Sequence, residues 1–96
     1  MKVVFSSRFK QDLARYEQAY CEISGRLAGD FRERIAGITS EIIRWKGGDH
    51  TGPHGYPCRR SKPFPFYVYY QQDQQTLRFL AIVHEKRHPE FLKRQP

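Results

Sequence analysis

Apolar residues in the first half of the chain follow the spacing of amphipathic helices. A short β-branched and aromatic segment, Lys2 to Phe5, comes first and predicts a strand. It stops at Ser6-Ser7, either of which can cap a following helix. The next apolar positions recur at intervals of three and four and predict a helix that ends near Ser24-Gly25. These positions are Phe9, Leu13, Tyr16, Tyr20 and Ile23.

A second apolar stripe with the same period predicts a second helix. Asp30 and Arg34 lie one turn apart on its polar side, where they are positioned to pair. Trp45 ends the stripe and is expected to close the bottom of the core. Gly47-Gly48 then breaks the period, and the stretch to Pro57, rich in Gly, Pro and His, predicts a loop. The stripe consists of Leu27, Phe31, Ile35, Ile38, Ile42 and Trp45.

Beyond the loop the apolar period changes from 3.6 to two, which is typical of strands. Tyr56 to Lys62 predicts one strand. Phe66 to Gln71 predicts the next, because Pro63 and Pro65 cannot donate to a ladder. Thr76 to His84 follows a polar turn and has the clearest alternation in the chain.

The alternation in the last predicted strand assigns its residues to two faces of a sheet. The wholly apolar face, expected to pack on the helices, consists of Leu77, Phe79, Ala81 and Val83. The other face is part apolar and part charged and consists of Arg78, Leu80, Ile82 and His84. We expect this second face to be open to solvent, to an accessory segment or to a partner protein.

The order of the predicted elements indicates a two-layer α+β fold. An N-terminal strand and a helical hairpin pack on a mainly antiparallel four-stranded sheet, in the order β-α-α-β-β-β. The 96 residues fit one domain, and we assign 1–96 to it. Residues from about 88 onward are expected to form a tail or a short helix.

Positive charge is concentrated in the second half of the chain. The 17 Lys and Arg residues outnumber the 10 Asp and Glu residues, which gives a net charge of +7. Residues 56–96 carry eight basic and three acidic side chains, whereas residues 1–55 carry nine and seven. Such a surplus favours nucleic acid, a ribosome or an acidic protein as partner, and it does not by itself indicate a fold or a reaction.

Several classes of protein are disfavoured by composition. No apolar run approaches the length of a membrane helix, and the N-terminal segment lacks the apolar stretch of a signal peptide, so a cytoplasmic location is expected. Cys21 and Cys58 are too few for a disulfide scaffold, and we expect reduced, buried thiols. His50, His54 and Cys58 are spaced by four, but intervening Gly and Pro residues exclude the helix that would align them. No metal and no cofactor are therefore expected.

Three stretches of the chain together resemble the RelE/ParE superfamily of toxins from bacterial type II toxin–antitoxin modules. SSRFKQDLARY is similar to the opening helix of the family. KPFPFYVYYQQDQQTLRFLAIVHE is similar to its paired strands with a polar turn, and HEKRHPE resembles the closing motif of ParE-like members. With the elements between them, these stretches cover residues 3 to about 90.

The resemblance implies two kinds of macromolecular partner. One is a cognate antitoxin, which in this superfamily typically wraps the toxin with a C-terminal segment. The other is a target: ParE-like toxins are associated with poisoning DNA gyrase, whereas RelE-like toxins cleave messenger RNA on the ribosome. Pro65, Phe66 and Tyr67 occupy the place of an arginine frequent in the superfamily, which favours the ParE-like branch. A growth-inhibiting, plasmid-stabilizing toxin that works by binding is the preferred interpretation, and a ribosome-dependent mRNA endoribonuclease is the alternative. Neither a membrane partner nor a small-molecule substrate is expected.

The resemblance also implies candidate site residues. For target or antitoxin binding they are Arg59, Arg60, Lys62, Arg78, Lys86 and Arg87. For the endoribonuclease alternative, His84 would be the proton donor, and Arg87, supported by Arg59 and Arg60, would stabilise charge on the phosphate, as such chemistry requires. Arg78 and His84, six residues apart on one predicted strand face, would be separated by about 20 Å, so they are not expected to contact the same phosphate.

Overall fold

The computed structural model describes residues 2–45, 49–51 and 55–86 and has the predicted α+β architecture. One five-stranded sheet, in the order β1-β5-β4-β3-β2, carries both helices on one face. The elements are β1 (Lys2–Phe5), α1 (Ser7–Cys21), α2 (Gly25–Arg44), β2 (His50–Thr51), β3 (Pro57–Arg60), β4 (Phe66–Gln72) and β5 (Thr76–His84). The predicted fold class is confirmed.

The sheet is mainly antiparallel, with one parallel pair at its edge. β5 pairs antiparallel with β4 and parallel with β1, so the first strand of the chain lies beside the last. β2 is a two-residue strand within the predicted loop, and it pairs with β3 as a short fifth strand. The sheet therefore has one more strand than the period-two pattern predicted, because a two-residue strand is too short to produce an alternation.

Serine caps begin both helices. The Ser6 hydroxyl accepts from the Phe9 N–H at 3.0 Å, and the Ser24 hydroxyl accepts from the Leu27 N–H at 3.3 Å. Each satisfies a backbone donor that has no partner within its helix. The caps fix where the apolar stripes start relative to the sheet.

Two apolar residues assigned to the helical stripes are exposed instead. Ile23 is 74% exposed because α1 ends at Cys21 and the stripe ends with it. Trp45 is 67% exposed because it is the C-cap of α2 and has left the helical path, so it does not close the core. The predicted pairing of Asp30 with Arg34 is also absent from the described ion pairs.

The main core lies between the helices and the sheet. Phe31, Ile38 and Val68 have no exposed surface, and each such side chain contributes about 1.5–3 kcal/mol by burial. Tyr16 and Tyr20 pack at its rim as their stripe positions predicted: the Tyr16 ring lies 4.5 Å from Phe66 and the Tyr20 ring 5.2 Å from Phe31. The helical stripes therefore identify the core correctly, apart from their final residues.

A β-bulge divides β5 into two parts with opposite facing. Tyr69 pairs with Ala81 and Tyr70 with Phe79, which leaves Leu80 without a partner on β4. One extra residue shifts the alternation, because side chains on a strand repeat every two residues. Leu77, Phe79 and Ile82 consequently face the helices, while Ala81 and Val83 face the other side of the sheet. The predicted apolar face of β5 is therefore correct at its start and wrong after the bulge.

The opposite side of the sheet has a second buried cluster. Tyr69 and Ala81 are at most 1% exposed, and Val83 and Cys58 are also buried. Side chains of Tyr56, Tyr67 and Leu80 pack against this cluster. The centre of this face is thus buried, and the cationic residues available for binding lie around it, at the ends and edges of the sheet.

Candidate functional site

Cationic side chains gather at one end of the sheet, where β3 ends, β4 begins and β5 ends. We call this region, formed by Arg60, Lys62 and Lys86, the basic end. Lys62 and Lys86 are exposed, and Arg60 forms a 2.8 Å ion pair with Glu85 while its guanidinium lies 5.9 Å from the Tyr67 ring centroid. These contacts position Arg60, while the two lysines remain accessible to solvent.

The turn between β3 and β4 gives the basic end a fixed framework. The fully buried Ser61 hydroxyl donates toward the carbonyls of Phe64 and Phe66, at 3.1 and 3.2 Å. The Glu85 N–H donates to the Pro65 carbonyl at 2.8 Å, which ties the end of β5 to the same turn. On the helical side, the Arg34 Nε donates to the Lys62 carbonyl at 2.7 Å. Lys62 therefore projects from a backbone that is held from two sides.

Arg59 faces the helices and is engaged in a local cluster of polar groups. Its Nε and Nη2 donate to the two carboxylate oxygens of Asp49 at 2.8 and 3.0 Å, and Nη1 lies 3.5 Å from Glu41. The Tyr70 hydroxyl also donates to Asp49. The bidentate pair raises the pKa of Arg59, and burial, together with the Asp49 contact, raises that of Tyr70. We call these four residues the Asp49 clasp, and they stabilise the attachment of β2 to α2.

His84 is the last residue of β5 and is partly buried. Its ring packs edge-on against Phe66 at 5.3 Å, and its Nδ1 accepts from the Lys86 N–H at 3.1 Å. The pairing of His84 with Phe66 places its side chain on the helical face of the sheet. The residue therefore shapes the turn that presents Lys86.

Arg78 lies at the other end of β5 from His84. It is exposed and pairs with Gln71, beside a turn in which the Asp73 carboxylate accepts from the N–H groups of Gln75 and Thr76. The bulge puts Arg78 and His84 on opposite faces of the sheet, so the expectation that they share a face is wrong. The two residues are still six positions apart on β5, at opposite ends of the strand. Arg87 lies outside the described residues.

The structure thus brings three predicted binding residues together, in the basic end, and leaves Arg59 and Arg78 apart from them. Asp49 and Glu41, which engage Arg59, escaped sequence analysis, because Asp49 belongs to a Gly-rich segment without periodicity and Glu41 to the polar side of a helix. In the described part of the chain, no three His, Cys, Asp or Glu side chains are grouped closely enough to hold a metal ion. His54 lies outside that part. Cys21 is exposed, contrary to expectation, and Cys58 is buried.

Comparison with known proteins finds a similar fold among solved structures. Neither a protein-family model nor a curated protein matches the sequence. A chain of the chromosomal ParDE TA system from P. aeruginosa matches in structure with a TM-score of 0.74, over 88% of this chain and 95% of that one. The two chains share a fold. Their sequences are 15% identical, so the RelE/ParE resemblance is confirmed at the level of the fold. No helix within the described ranges is both long and apolar enough to cross a membrane.

Proposed function

We propose that this chain is the toxin of a bacterial type II toxin–antitoxin module, of the ParE-like kind. It inhibits growth by binding a macromolecular target and is neutralised by a cognate antitoxin. The shared fold with a chain of the ParDE system carries this proposal. DNA gyrase is the target that the sequence resemblance favours, and residues 1–96 act as one domain in the cytoplasm.

The basic end supports binding as the mode of action. Lys62 and Lys86 are exposed on two turns that the Glu85 N–H to Pro65 hydrogen bond ties together, and the charge of Arg60 is partly balanced by Glu85. Exposed cations on a fixed backbone attract an acidic surface without a large loss of conformational freedom. Arg87 follows directly in the chain and is included in the proposed binding surface, while Arg78 at the far end contributes at most to long-range attraction.

The arrangement of the predicted catalytic residues favours binding over mRNA cleavage. His84 already accepts a backbone hydrogen bond at Nδ1 and packs against Phe66. Arg59, which also faces the helices, is engaged by Asp49 and Glu41. A phosphoryl-transfer site needs a proton donor and uncompensated positive charge at one point. His84 and Arg59 both already have partners within the protein, which leaves neither of them poised for that role.

The experiment that tests the proposal measures growth after inducible expression in bacteria. We expect the wild-type chain to arrest growth and co-expression of the adjacent reading frame to relieve the arrest. The paired variant Lys62→Gln with Lys86→Gln should lose toxicity. Its control is Arg26→Gln with Arg44→Gln, which removes the same charge from exposed positions on α2 and should remain toxic. Equal toxicity of both pairs would contradict a role for the basic end.

The mechanism is separated from the alternative by a substitution at His84. His84→Asn keeps an acceptor for the Lys86 N–H but cannot serve as a proton donor of the same acidity. We expect it to remain toxic, with gyrase supercoiling inhibited and no new ends in primer extension on translated messages. Message cleavage by the wild type that disappears in His84→Asn would replace our proposal with the endoribonuclease.

A further inference from the structure

A groove lies between α2 and the turn that joins β3 to β4, and we call it the turn groove. Its volume is about 710 Å³. Tyr20, Leu27 and Phe64 supply its apolar lining, together with the prolines on either side of Phe64. Ile23, whose N–H donates to the Tyr20 carbonyl at 2.9 Å, is 74% exposed in the turn between the helices. An open apolar groove beside an exposed isoleucine is typical of a surface that another chain covers.

Opposite charges flank the turn groove. On the α2 side, Asp30 and Glu33 line it and are exposed, and neither belongs to an ion pair in the part of the chain that the structure describes. On the turn side, Lys62 is exposed and directly precedes the lining residue Pro63. The Arg34 Nε donates to the Lys62 carbonyl at 2.7 Å and so joins the two sides at one point. Carboxylates thus lie on one side of the apolar lining and an ammonium group lies on the other.

This arrangement of charges is complementary to itself. A two-fold axis through the turn groove sets Glu33 of one copy opposite Lys62 of the other, and the reverse contact forms at the same time. With Asp30 and Arg34 the surface has two acids and two bases, so it is neutral although the chain carries a net charge of +7. At physiological ionic strength, charges more than about 8 Å apart are largely screened, so the surplus elsewhere opposes pairing only weakly. A partner with one sign of charge, such as a nucleic acid, would be repelled by one side of the groove.

We propose that two copies of this chain associate through the turn groove as a two-fold symmetric dimer, in which Asp30 and Glu33 of each copy face Lys62 of the other. The dimer covers Lys62, which belongs to the basic end, so self-association and target binding compete for the same residue. Dilution favours the monomer, and the monomer is the form that is able to bind the target. This competition rests on the proposed function, whereas the dimer itself does not.

Sedimentation velocity over a range of protein concentrations measures the self-association of the full chain. The wild type should change from monomer to dimer as its concentration rises. Glu33→Lys and Lys62→Glu each replace both symmetric attractions by repulsions, and each should weaken self-association at least about tenfold, equivalent to about 1.4 kcal/mol. An equimolar mixture of these two variants should associate again, because each contact in the mixed dimer joins a carboxylate to an ammonium group.

Two matched variants make the same charge changes outside the turn groove. Glu22→Lys and Lys10→Glu alter exposed positions that do not line the groove, and both should associate like the wild type. Circular dichroism verifies folding of each variant. Growth after inducible expression gives the functional readout. Glu33→Lys should remain toxic because it leaves the basic end intact, whereas Lys62→Glu should be less toxic.

Three results would each overturn the dimer and leave the toxin proposal standing: a wild type that stays monomeric at every concentration, single variants that associate normally, or a mixture of the two variants that stays monomeric. A chain that dimerises as expected but does not arrest growth would overturn the toxin proposal and leave the dimer standing.

Discussion

Asp12 offers a sharp test of how the β5 bulge is stabilised. After β1 ends, no strand among the described residues lies beside the adjacent edge of β5. The Leu80 carbonyl accepts from the Ser6 hydroxyl at 2.8 Å, and the Ile82 N–H donates to the Asp12 carboxylate at 3.0 Å. Both acceptor and donor are thus satisfied by side chains from the start of α1. Asp12 is 8% exposed and Ile82 fully buried, so water cannot easily replace the carboxylate.

Asp12→Ala should lower the free energy of unfolding by about 2 kcal/mol, since an unsatisfied buried N–H costs about 1–3 kcal/mol. For a domain of this size the melting temperature should fall by about 8–16 °C. Asp12→Asn keeps an acceptor for the Ile82 N–H and should stay within about 1 kcal/mol of the wild type. The ion pair between Arg8 and Asp12 adds little to the stability difference between these variants and the wild type, because the Arg8 side chain is 56% exposed.

Urea unfolding followed by far-ultraviolet circular dichroism measures these changes, because Trp45 is too exposed to report on the core. Asp30→Ala, an exposed carboxylate removed from α2, is the control and should change stability by less than about 0.5 kcal/mol. If Asp12→Asn proved as unstable as Asp12→Ala, the negative charge and not the acceptor would stabilise the bulge. If neither variant changed stability, the Ile82 bond would contribute nothing.

The pH dependence of the same variants has a definite sign. Burial raises the pKa of Asp12 above its ordinary value of 3.8, against the opposing effects of the Ile82 N–H and Arg8. The folded state therefore holds this proton more tightly than the unfolded state. The stabilisation of the folded state by protonated Asp12 is fully present below the pKa that this carboxyl has in the unfolded state. It is lost as pH rises through the higher pKa of the folded state. The stability of the wild type relative to Asp12→Asn should increase on acidification through that window, and a decrease would contradict the raised pKa.

Two further predictions concern the Asp49 clasp and the thiols. Asp49→Ala should lower the free energy of unfolding by about 2 kcal/mol, because Arg59 loses its bidentate partner. Glu41→Gln should lower it by less than about 0.5 kcal/mol, because the Glu41 side chain is 51% exposed and lies 3.5 Å from the Arg59 guanidinium. Equal urea midpoints for these two variants would show that Asp49 has no special role. In native protein at neutral pH, a thiol reagent should modify Cys21 rapidly and Cys58 slowly, since burial raises the pKa of Cys58 and limits access to it. Cys21→Ser should abolish the rapid phase, and rapid modification of two thiols in the wild type would contradict the buried position of Cys58.

Local sequence pattern was sufficient to predict most of the fold. The helices follow from apolar spacing, Ser6 is one of the two serines predicted to cap the first of them, and β5 was located at its observed bounds. The cap of α2 at Ser24 was not predicted. The facing of its second half could not be predicted, because the bulge at Leu80 depends on partners about seventy residues earlier in the chain. Periodicity describes contacts within an element and contains no information about such distant backbone partners.

The candidate site was less accessible to sequence analysis for a related reason. A count of positive residues treated Arg59 and Arg60 alike, yet consecutive positions on a strand face opposite sides. Arg59 consequently meets Asp49 and Glu41, whereas Arg60 meets Glu85 and the Tyr67 ring. The charge pattern located the basic half of the chain, but only the fold separated the residues that hold the structure from those exposed for binding.

The parallel pairing of β1 with β5 sets the order in which the molecule is completed during synthesis. Lys2 aligns with Thr76 and Phe5 with Phe79. β1 therefore cannot pair with β5 until most of the polypeptide has left the ribosome. Contacts of such long sequence separation slow folding, because a large loop must close before they form. Until then, Phe5 lacks its stacking partner Phe79, and the apolar side of β1 stays exposed to water.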